Sequence, residues 1–235
     1  MITKELKAKI KEHAKSEAPK ECCGFILENG KIYRAQNTSM SDNKFSINAA
    51  DYITAKSLSA IKAVYHSHPN GGATFSEFDK FNSINHGVIY VLYSMKDNSF
   101  SQFDPALTTF NKYIGRKFEI GETDCFALIK DFYEFELNIK LNEHHRDEGY
   151  EDHLGELFNV DFEAEGFSPV DEPRKYDCIL FREKKGRSSN HIALYLGDGL
   201  MLHQPRNSYS RIESYLNAHR RHTNHFIRYK NAEFS

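Results

Sequence analysis

The chain has 235 residues, of which 40% are hydrophobic and 27% are charged, and its formal net charge is −2. This composition indicates a water-soluble globular protein of one or two domains, and the small net charge gives no sign of a broad surface for nucleic acid or anionic membrane. No apolar run approaches the roughly 20 residues of a membrane span, and the start of the chain lacks an apolar signal core. We therefore expect no nucleic-acid partner, no membrane partner and a cytoplasmic location.

The first hundred residues predict an α+β unit. Helices are expected over 2–17, 49–60 and 77–84. Strands are expected over 22–27, 31–35, 45–47, 61–65, 88–93 and 99–103. The unit is predicted to end near Asp104-Pro105, which gives a first domain over residues 1–105.

A metal-binding pattern follows the strand predicted over 61–65. His66 and His68 lie two residues apart, so on a strand their side chains face the same way. Ser76 has the character of a helix N-cap, and Asp79 falls in the first turn of that helix. Two histidines and a carboxylate would hold zinc and leave a fourth position open for water. A plain capping pair beside a chance His-x-His is the alternative, and the combined spacing favours the metal.

The same residues resemble the JAMM (MPN-type) zinc metallopeptidases. The match includes an upstream string, Pro19-Lys20-Glu21-Cys22-Cys23-Gly24. The resemblance implies that His66, His68 and Asp79 hold zinc. It further implies that Glu21 takes a proton from the zinc-bound water and that Ser76 polarises the scissile carbonyl.

A second unit is predicted over residues 108–235. Cys125 follows Thr123 and Asp124, either of which could cap a helix, and a helix start favours a thiolate. The four cysteines form neither a disulfide framework nor a zinc pattern, so Cys125 could also be a small buried residue. A hairpin with a Gly-Asp-Gly turn is predicted to bring His191 close to His203. The histidine pair favours a nucleophile, base and orienting group over three structural residues.

This arrangement resembles the NlpC-type cell-wall peptidases, which are papain-like. The resemblance implies Cys125 as nucleophile, His191 as base and His203 as orienter. It also implies that the Tyr113 hydroxyl, twelve residues before the cysteine, and the Cys125 backbone N–H steady the oxyanion. The chain departs from the family pattern at Tyr176, where a glycine is usual, and at Phe126, where a small residue is usual.

The segment over residues 141–170 is rich in charge and contains three histidines. Its histidines and carboxylates fit no ligand spacing, so we interpret it as a solvated charged insertion and not as another metal site.

The two resemblances together cover nearly the whole chain, and their order resembles that in the tail tip assembly proteins of lambda-like phages. The fold class predicted is α+β, with a JAMM-like α/β sandwich followed by a papain-like NlpC-type fold. The resemblance implies a zinc-dependent (iso)peptidase and a cysteine peptidase for peptidoglycan stem peptides. It implies phage tail tip proteins as partners, with the protein in the host cytoplasm during assembly or at the virion tail tip. A structural tail component with vestigial sites and a processing protease of tail proteins are the alternatives.

Overall fold

A computed structural model describes residues 2–146, 162–182, 189–215 and 219–230. The chain divides into two compact units, Met1–Asn111 and Lys112–Ser235. Each unit contains both helices and a sheet, which confirms the predicted α+β class. No helix in the described ranges combines the length and the apolar character that a bilayer crossing requires.

The first unit is built around a five-stranded sheet with strand order β2-β1-β3-β4-β5. Its strands are β1 Cys23–Leu27, β2 Ile32–Ala35, β3 Ile61–His68, β4 Ile89–Ser94 and β5 Ser99–Phe103. Its helices are α1 Lys4–Glu17, α2 Ala49–Leu58 and α3 Glu77–His86. Only the β3–β4 pair is parallel among the described strands of this sheet, and α3 supplies the crossover between them.

Alternation along the strands sends side chains to two separate cores, so the sheet is the middle layer of an α/β sandwich. One core joins α1 to one face of the sheet through Leu6, Ile10, Ala14, Ile26, Ala63, Tyr65 and Val91. The opposite core contains Phe25, Leu27, Ala55, Val64, Phe75 and Leu92. His66 and His68 continue the Val64 face of β3, at the end of the strand.

The short strand expected over 45–47 is not formed. Ile47 makes a single isolated bridge to Asn37, and the side chain of Phe45 instead stacks on the ring of His66 at 4.6 Å between ring centroids. The three-residue segment Phe45-Ser46-Ile47 was too short to specify a strand, because no neighbouring strand pairs with its whole length.

The second unit contains a six-stranded antiparallel sheet with strand order β10-β9-β8-β7-β11-β6. Its strands are β6 Phe167–Val170, β7 Cys178–Phe181, β8 His191–Gly197, β9 Leu200–His203, β10 Arg211–Ser214 and β11 Thr223–Tyr229. The helix α4, Cys125–Leu137, packs against β8. The predicted hairpin is confirmed as β8 and β9, with Asp198 at φ 51° in the turn between them.

Two residues of the β7 region account for features of the sequence. Cys178 is completely buried in the core. Tyr176 stands at φ 72°, a left-handed conformation that glycine adopts with less strain, which explains why the family pattern has glycine there.

Candidate active sites

Four side chains of the first unit meet at the end of β3. Nε2 of His68 lies 3.7 Å from Oε1 of Glu21, and Nε2 of His66 lies 3.8 Å from Oδ2 of Asp79. The ligand atoms of Glu21, His66 and His68 all lie within 4.8 Å of one another. The structure therefore brings together the four residues that the sequence predicted, although Asp79 joins the group from the His66 side only.

Strand register and helix capping explain this meeting. Cys23 pairs with His66 in the antiparallel β1–β3 ladder, so continuing the register by two residues places Glu21 beside His68. Nδ1 of His68 lies 3.0 Å from the carbonyl oxygen of Gly72, a contact that turns Nε2 towards the group. Asp79 stands in the first turn of α3, which begins after Ser76.

The two ring nitrogens of His66 are the strongest indication that this site can hold a ligand. Both are buried, and neither has a hydrogen-bond partner in the described part of the chain. A buried polar atom without a partner costs free energy, so such atoms are rare unless a ligand satisfies them. Ligand atoms in tetrahedral zinc sites are roughly 3.3 Å apart, given bonds of about 2.0–2.1 Å. The 3.8 Å between Nε2 of His66 and Oδ2 of Asp79, two of the predicted ligands, is close to that value.

Burial controls the protonation of this group. It raises the pKa of Glu21 to about 8, with a further contribution from the Asp79 carboxylate. It lowers the pKa of His66 to about 4, against the opposing attraction of Asp79. His66 is therefore neutral and able to donate a lone pair, and Glu21 can exchange a proton near neutral pH.

Ser76 has a different role in this structure from the one the resemblance implies. Its hydroxyl donates to Oδ2 of Asp79 at 2.6 Å and accepts from the backbone N–H of Asp79 at 3.1 Å. The bond from the Asp79 N–H and a reciprocal bond from the Ser76 backbone N–H to Oδ2 of Asp79 at 3.0 Å form a capping box that fixes Asp79 at the start of α3. The hydroxyl would have to leave Asp79 before it could polarise a carbonyl.

Cys125 is the first residue of α4, and Asp124 is its N-cap, as predicted. Cys125 is 5% exposed, and the nearby backbone N–H groups of Ile192 and Phe126 act to lower the pKa of its thiol. Ile192 follows His191 on β8, so the thiol lies at the strand that carries the predicted base. No hydrogen bond joins the thiol to the His191 ring within the described ranges, and such bonds commonly tighten only when substrate binds.

The expected depression of the thiol pKa is not found. Burial raises the pKa of Cys125 to about 12, the Asp124 carboxylate raises it further, and the two N–H groups oppose the change only in part. The helix start was expected to favour a thiolate, but removal of the sulfur from water is the larger effect.

The two catalytic histidines predicted in the second unit are in contact. Nε2 of His191 lies 3.0 Å from Nδ1 of His203, and both rings are buried. Burial lowers the pKa of both imidazoles, so both are neutral at pH 7. The Nε2 of His191 thus faces the orienting residue, and its Nδ1 is left to serve as the base.

The sequence did not identify Glu213 and Arg211, which extend this pair. Oε1 of Glu213 lies 3.0 Å from Nε2 of His203 and 3.0 Å from Nε2 of His219. Arg211 donates from Nε to Oε2 of Glu213 at 2.6 Å. In the sequence, Arg211 and Glu213 stand two residues apart, so on a strand their side chains share a face. That pattern could identify them only if the pairing of this strand with the His203 strand were already known.

Arg146 is a third residue missed from the sequence, and its burial corrects the interpretation of residues 141–170 as solvated. Its side chain is buried and donates from Nε to Oδ2 of Asp124 at 2.7 Å. Phe126 packs against this guanidinium and against the ring of Phe162, so it belongs to the core. His153, Asp147, Glu148, Glu151 and Asp152 lie outside the described residues.

Tyr113 is not brought to the thiol. Its hydroxyl donates to Oε1 of Glu136 at 2.9 Å. Glu136 lies eleven residues along α4 from Cys125, a rise of roughly 16 Å. The twelve-residue spacing therefore identified a tyrosine that packs against the C-terminal part of α4, away from Cys125.

Comparisons with known proteins place the two units in families. Residues 3–104 match the family described as prokaryotic homologs of the JAB domain, and residues 112–229 match the NlpC/P60 family. Tail tip assembly protein K of Escherichia phage lambda is 30% identical over 77% of this chain and 87% of its own length. The protein of the same name from Escherichia phage N15 is 24% identical over 94% of this chain and 93% of its own length.

Solved structures resemble each unit only weakly. The NlpC/p60 domain of the peptidoglycan hydrolase SagA is 17% identical over 50% of this chain and 90% of that chain, with a TM-score of 0.35. A JAB1/MPN domain protein from Archaeoglobus fulgidus is 18% identical over 43% of this chain and 82% of that chain, with a TM-score of 0.28. On the family matches and the lambda relative, the chain belongs to the family of phage tail tip assembly proteins, with a JAB-like domain followed by an NlpC/P60 domain.

Proposed function

We propose that the second unit is a cysteine peptidase that cleaves peptidoglycan stem peptides. The observation that supports this most is the 3.0 Å contact between Nε2 of His191 and Nδ1 of His203, beside the strand against which the Cys125 thiol lies. A nucleophile at a helix start, a base and an orienting group are the three parts that acyl transfer requires. The resemblance to NlpC-type peptidases supports the choice of substrate.

The reaction begins from a neutral thiol and a neutral imidazole. His191 takes the thiol proton at Nδ1 as the sulfur attacks the peptide carbonyl carbon, and an S–C bond forms. His191 then gives the proton to the leaving amine as the C–N bond breaks. Water attacks the thioester with the same imidazole as base, which releases the acid and restores the thiol. The N–H of Cys125 is the donor proposed for the oxyanion, without help from Tyr113.

The test is to incubate the full chain with purified sacculi and, separately, with tail tip proteins. We expect release of soluble muropeptides, and we expect Cys125→Ser to abolish it. Cys178→Ala is the matched control, because Cys178 is a buried cysteine on β7 outside the catalytic group. Cleavage of tail tip proteins without release from sacculi would identify a processing protease. If the folded wild-type chain cleaves neither sacculi nor tail tip proteins, the protein is a structural tail component.

We also propose that the first unit is a zinc-dependent peptidase or isopeptidase, with His66, His68 and Asp79 as ligands. The unpartnered ring nitrogens of His66 support this, because Nε2 faces Asp79 across 3.8 Å. A zinc ion held there would lower the pKa of a water molecule towards neutrality. Glu21 is the residue that takes up the proton, since its carboxyl group lies beside His68 and is not needed as a third ligand.

Zinc content and activity separate the roles of the two carboxylates. We expect about one zinc per chain by elemental analysis, lost in His68→Ala and in Asp79→Asn. Glu21→Gln should keep the zinc and lose hydrolysis. His86→Ala is the matched control, because His86 is exposed at the end of α3. If Glu21→Gln loses zinc and Asp79→Asn retains it, then Glu21 is the ligand and Asp79 the proton acceptor. Full zinc content in His68→Ala would show that zinc does not bind at this site.

We infer that both sites act during tail tip assembly or cell-wall penetration, in the host cytoplasm or at the virion tail tip, with other tail tip proteins as partners. Fractionation of assembled virions and detection of the chain at the tail tip would test the location.

A further inference from the structure

A pair of hydrogen-bonded imidazoles does not by itself define which of the two is the base. Nε2 of His191 and Nδ1 of His203 are 3.0 Å apart, and either nitrogen could carry the shared proton. If His203 carries it, His191 must hold its own proton on Nδ1, which then cannot accept one from Cys125. If His191 carries it on Nε2, its Nδ1 is a free lone pair. Only the second arrangement is productive.

Glu213 removes this ambiguity. Its Oε1 lies 3.0 Å from Nε2 of His203. Neither Glu213 nor any other described group meets full hydrogen-bond geometry at this nitrogen, so the close approach of the carboxylate acts on it as a charge contact. A carboxylate accepts and does not donate, so it stabilises the His203 tautomer with its proton on Nε2. Nδ1 of His203 is then an acceptor, and the shared proton belongs to His191.

The surroundings keep Glu213 ionised and fixed. Arg211 donates to its Oε2 at 2.6 Å, and His219 approaches its Oε1 at 3.0 Å. The contact with His203 is the main reason that the pKa of Glu213 falls to about 2, followed by the hydrogen bond from Arg211, with burial opposing both. Its carboxylate is therefore a permanent acceptor over the whole range in which the enzyme would work.

We propose that Glu213 is a positioning residue that sets the direction of the proton relay Cys125–His191–His203 by fixing the tautomers of both histidines. This deepens the proposed cysteine-peptidase function and rests on it for its catalytic consequence. The tautomer assignment itself does not depend on any substrate.

Imidazole tautomers are read directly by two-bond ¹H–¹⁵N correlation spectra of the full chain labelled with [¹⁵N]histidine, with His191 and His203 assigned from His→Gln variants. In the wild type we expect both residues in the Nε2–H form. In Glu213→Gln, whose amide can donate as well as accept, we expect a mixture with the Nδ1–H form. We also expect the rate of Cys125 alkylation by iodoacetamide to fall at least about tenfold, since a base in the wrong tautomer cannot take the proton.

A rescue variant separates positioning from mere structural support. His203→Asp combined with Glu213→Gln moves the carboxylate one step along the relay, where it accepts directly from Nε2–H of His191. We expect the Nε2–H form of His191 and most of the alkylation rate to return. Glu119→Gln is the matched control, because Glu119 forms an exposed ion pair with Lys117.

Three outcomes are decisive. An Nδ1–H form of His191 in the wild type would overturn the proposal even if the Glu213 variants fail to fold. Glu213→Gln with tautomers and alkylation within twofold of Glu119→Gln would also overturn it. A tautomer shift and rescue in a chain that cleaves neither sacculi nor tail proteins would support the relay and reject the proposed peptidase function.

Discussion

Arg146 and Asp124 form a buried ion pair directly in front of the helix that carries Cys125. Their side chains are each 1% exposed, and Nε of Arg146 lies 2.7 Å from Oδ2 of Asp124. Oδ1 of Asp124 accepts from the backbone N–H of Ala127, so the carboxylate caps α4 with one oxygen and binds Arg146 with the other. The pair holds the N-cap in place and supplies positive charge to offset Asp124 near the thiol.

Arg146→Ala should destabilise the second unit by about 3–5 kcal/mol, because it leaves a buried carboxylate without its partner. Differential scanning calorimetry of the full chain measures this as a fall in the temperature of the transition of that unit. The control is Lys117→Ala, which breaks the exposed ion pair with Glu119 and should cost no more than about 1 kcal/mol.

The double variant Asp124→Asn with Arg146→Met tests the reason for that loss. Because it removes both charges, it should be less destabilised than Arg146→Ala. Equal losses in the single and double variants would mean that Arg146 acts through packing on Phe126.

The pH dependence of alkylation tests the protonation state of Cys125. Since burial raises the pKa of this thiol to about 12, the thiolate fraction should increase about tenfold per pH unit through pH 7–9 without reaching a plateau. A thiolate already paired with an imidazolium would instead give a pH-independent rate in this range. Free cysteine, with a pKa of about 8.5, is the reference that should level off.

Peptide mapping of the same reaction gives the order of labelling. All four cysteines are free and buried, and Cys125 is the most exposed of them at 5%. We expect iodoacetamide to label Cys125 first and to leave Cys22, Cys23 and Cys178 unmodified until the protein unfolds. Equal labelling of all four would contradict the assignment of Cys125 as the nucleophile.

The parts of both sites that the sequence predicted correctly depend on short-range periodicity. His66 and His68 share a face because a strand repeats every two residues, and Ser76 and Asp79 meet because a helix start brings positions three apart together. Turn chemistry likewise placed His191 near His203 across a hairpin.

The parts that the sequence could not supply depend on contacts between distant segments. Arg146 reaches Asp124 from 22 residues away, within a segment whose charge indicated only solvation. Glu213 reaches His203 through the pairing of β9 with β10, which no local pattern encodes. Tyr113 had the expected spacing, but its hydroxyl donates to Glu136 near the end of α4 and not to a group beside Cys125.

Acid should destabilise the second unit before its carboxylates titrate. Burial holds the pKa of His191 and His203 below that of an unfolded histidine, about 6.5, so the unfolded chain binds more protons below that pH. This contribution to stability is fully present above pH 6.5 and is lost as pH falls towards the folded pKa values. Glu213 adds a separate loss only below about pH 4.5, because its folded pKa is about 2.

Urea unfolding midpoints between pH 7.5 and 5 measure that loss. His191→Gln should flatten the dependence, whereas His222→Gln, at an exposed position, should not. A wild-type midpoint that stays constant from pH 7.5 to 5 would show that the buried imidazoles do not carry this contribution.

Limited proteolysis tests the position of the boundary between the two domains. The predicted domains end at residue 105 and begin at residue 108, and the chain there forms two short 3₁₀ turns, Pro105–Leu107 and Thr109–Tyr113. Leu107 is 86% exposed in this stretch, so its peptide bond is accessible to a protease that cleaves after large apolar residues. Limited chymotrypsin digestion should therefore cut after Leu107 before it cuts after Leu58, which is also exposed but ends a helix. Leu107→Asp should remove the first cut without changing the zinc content or the alkylation of Cys125, because Leu107 contributes to neither site. Early cuts confined to residues 20–90 would count against a boundary near residue 107.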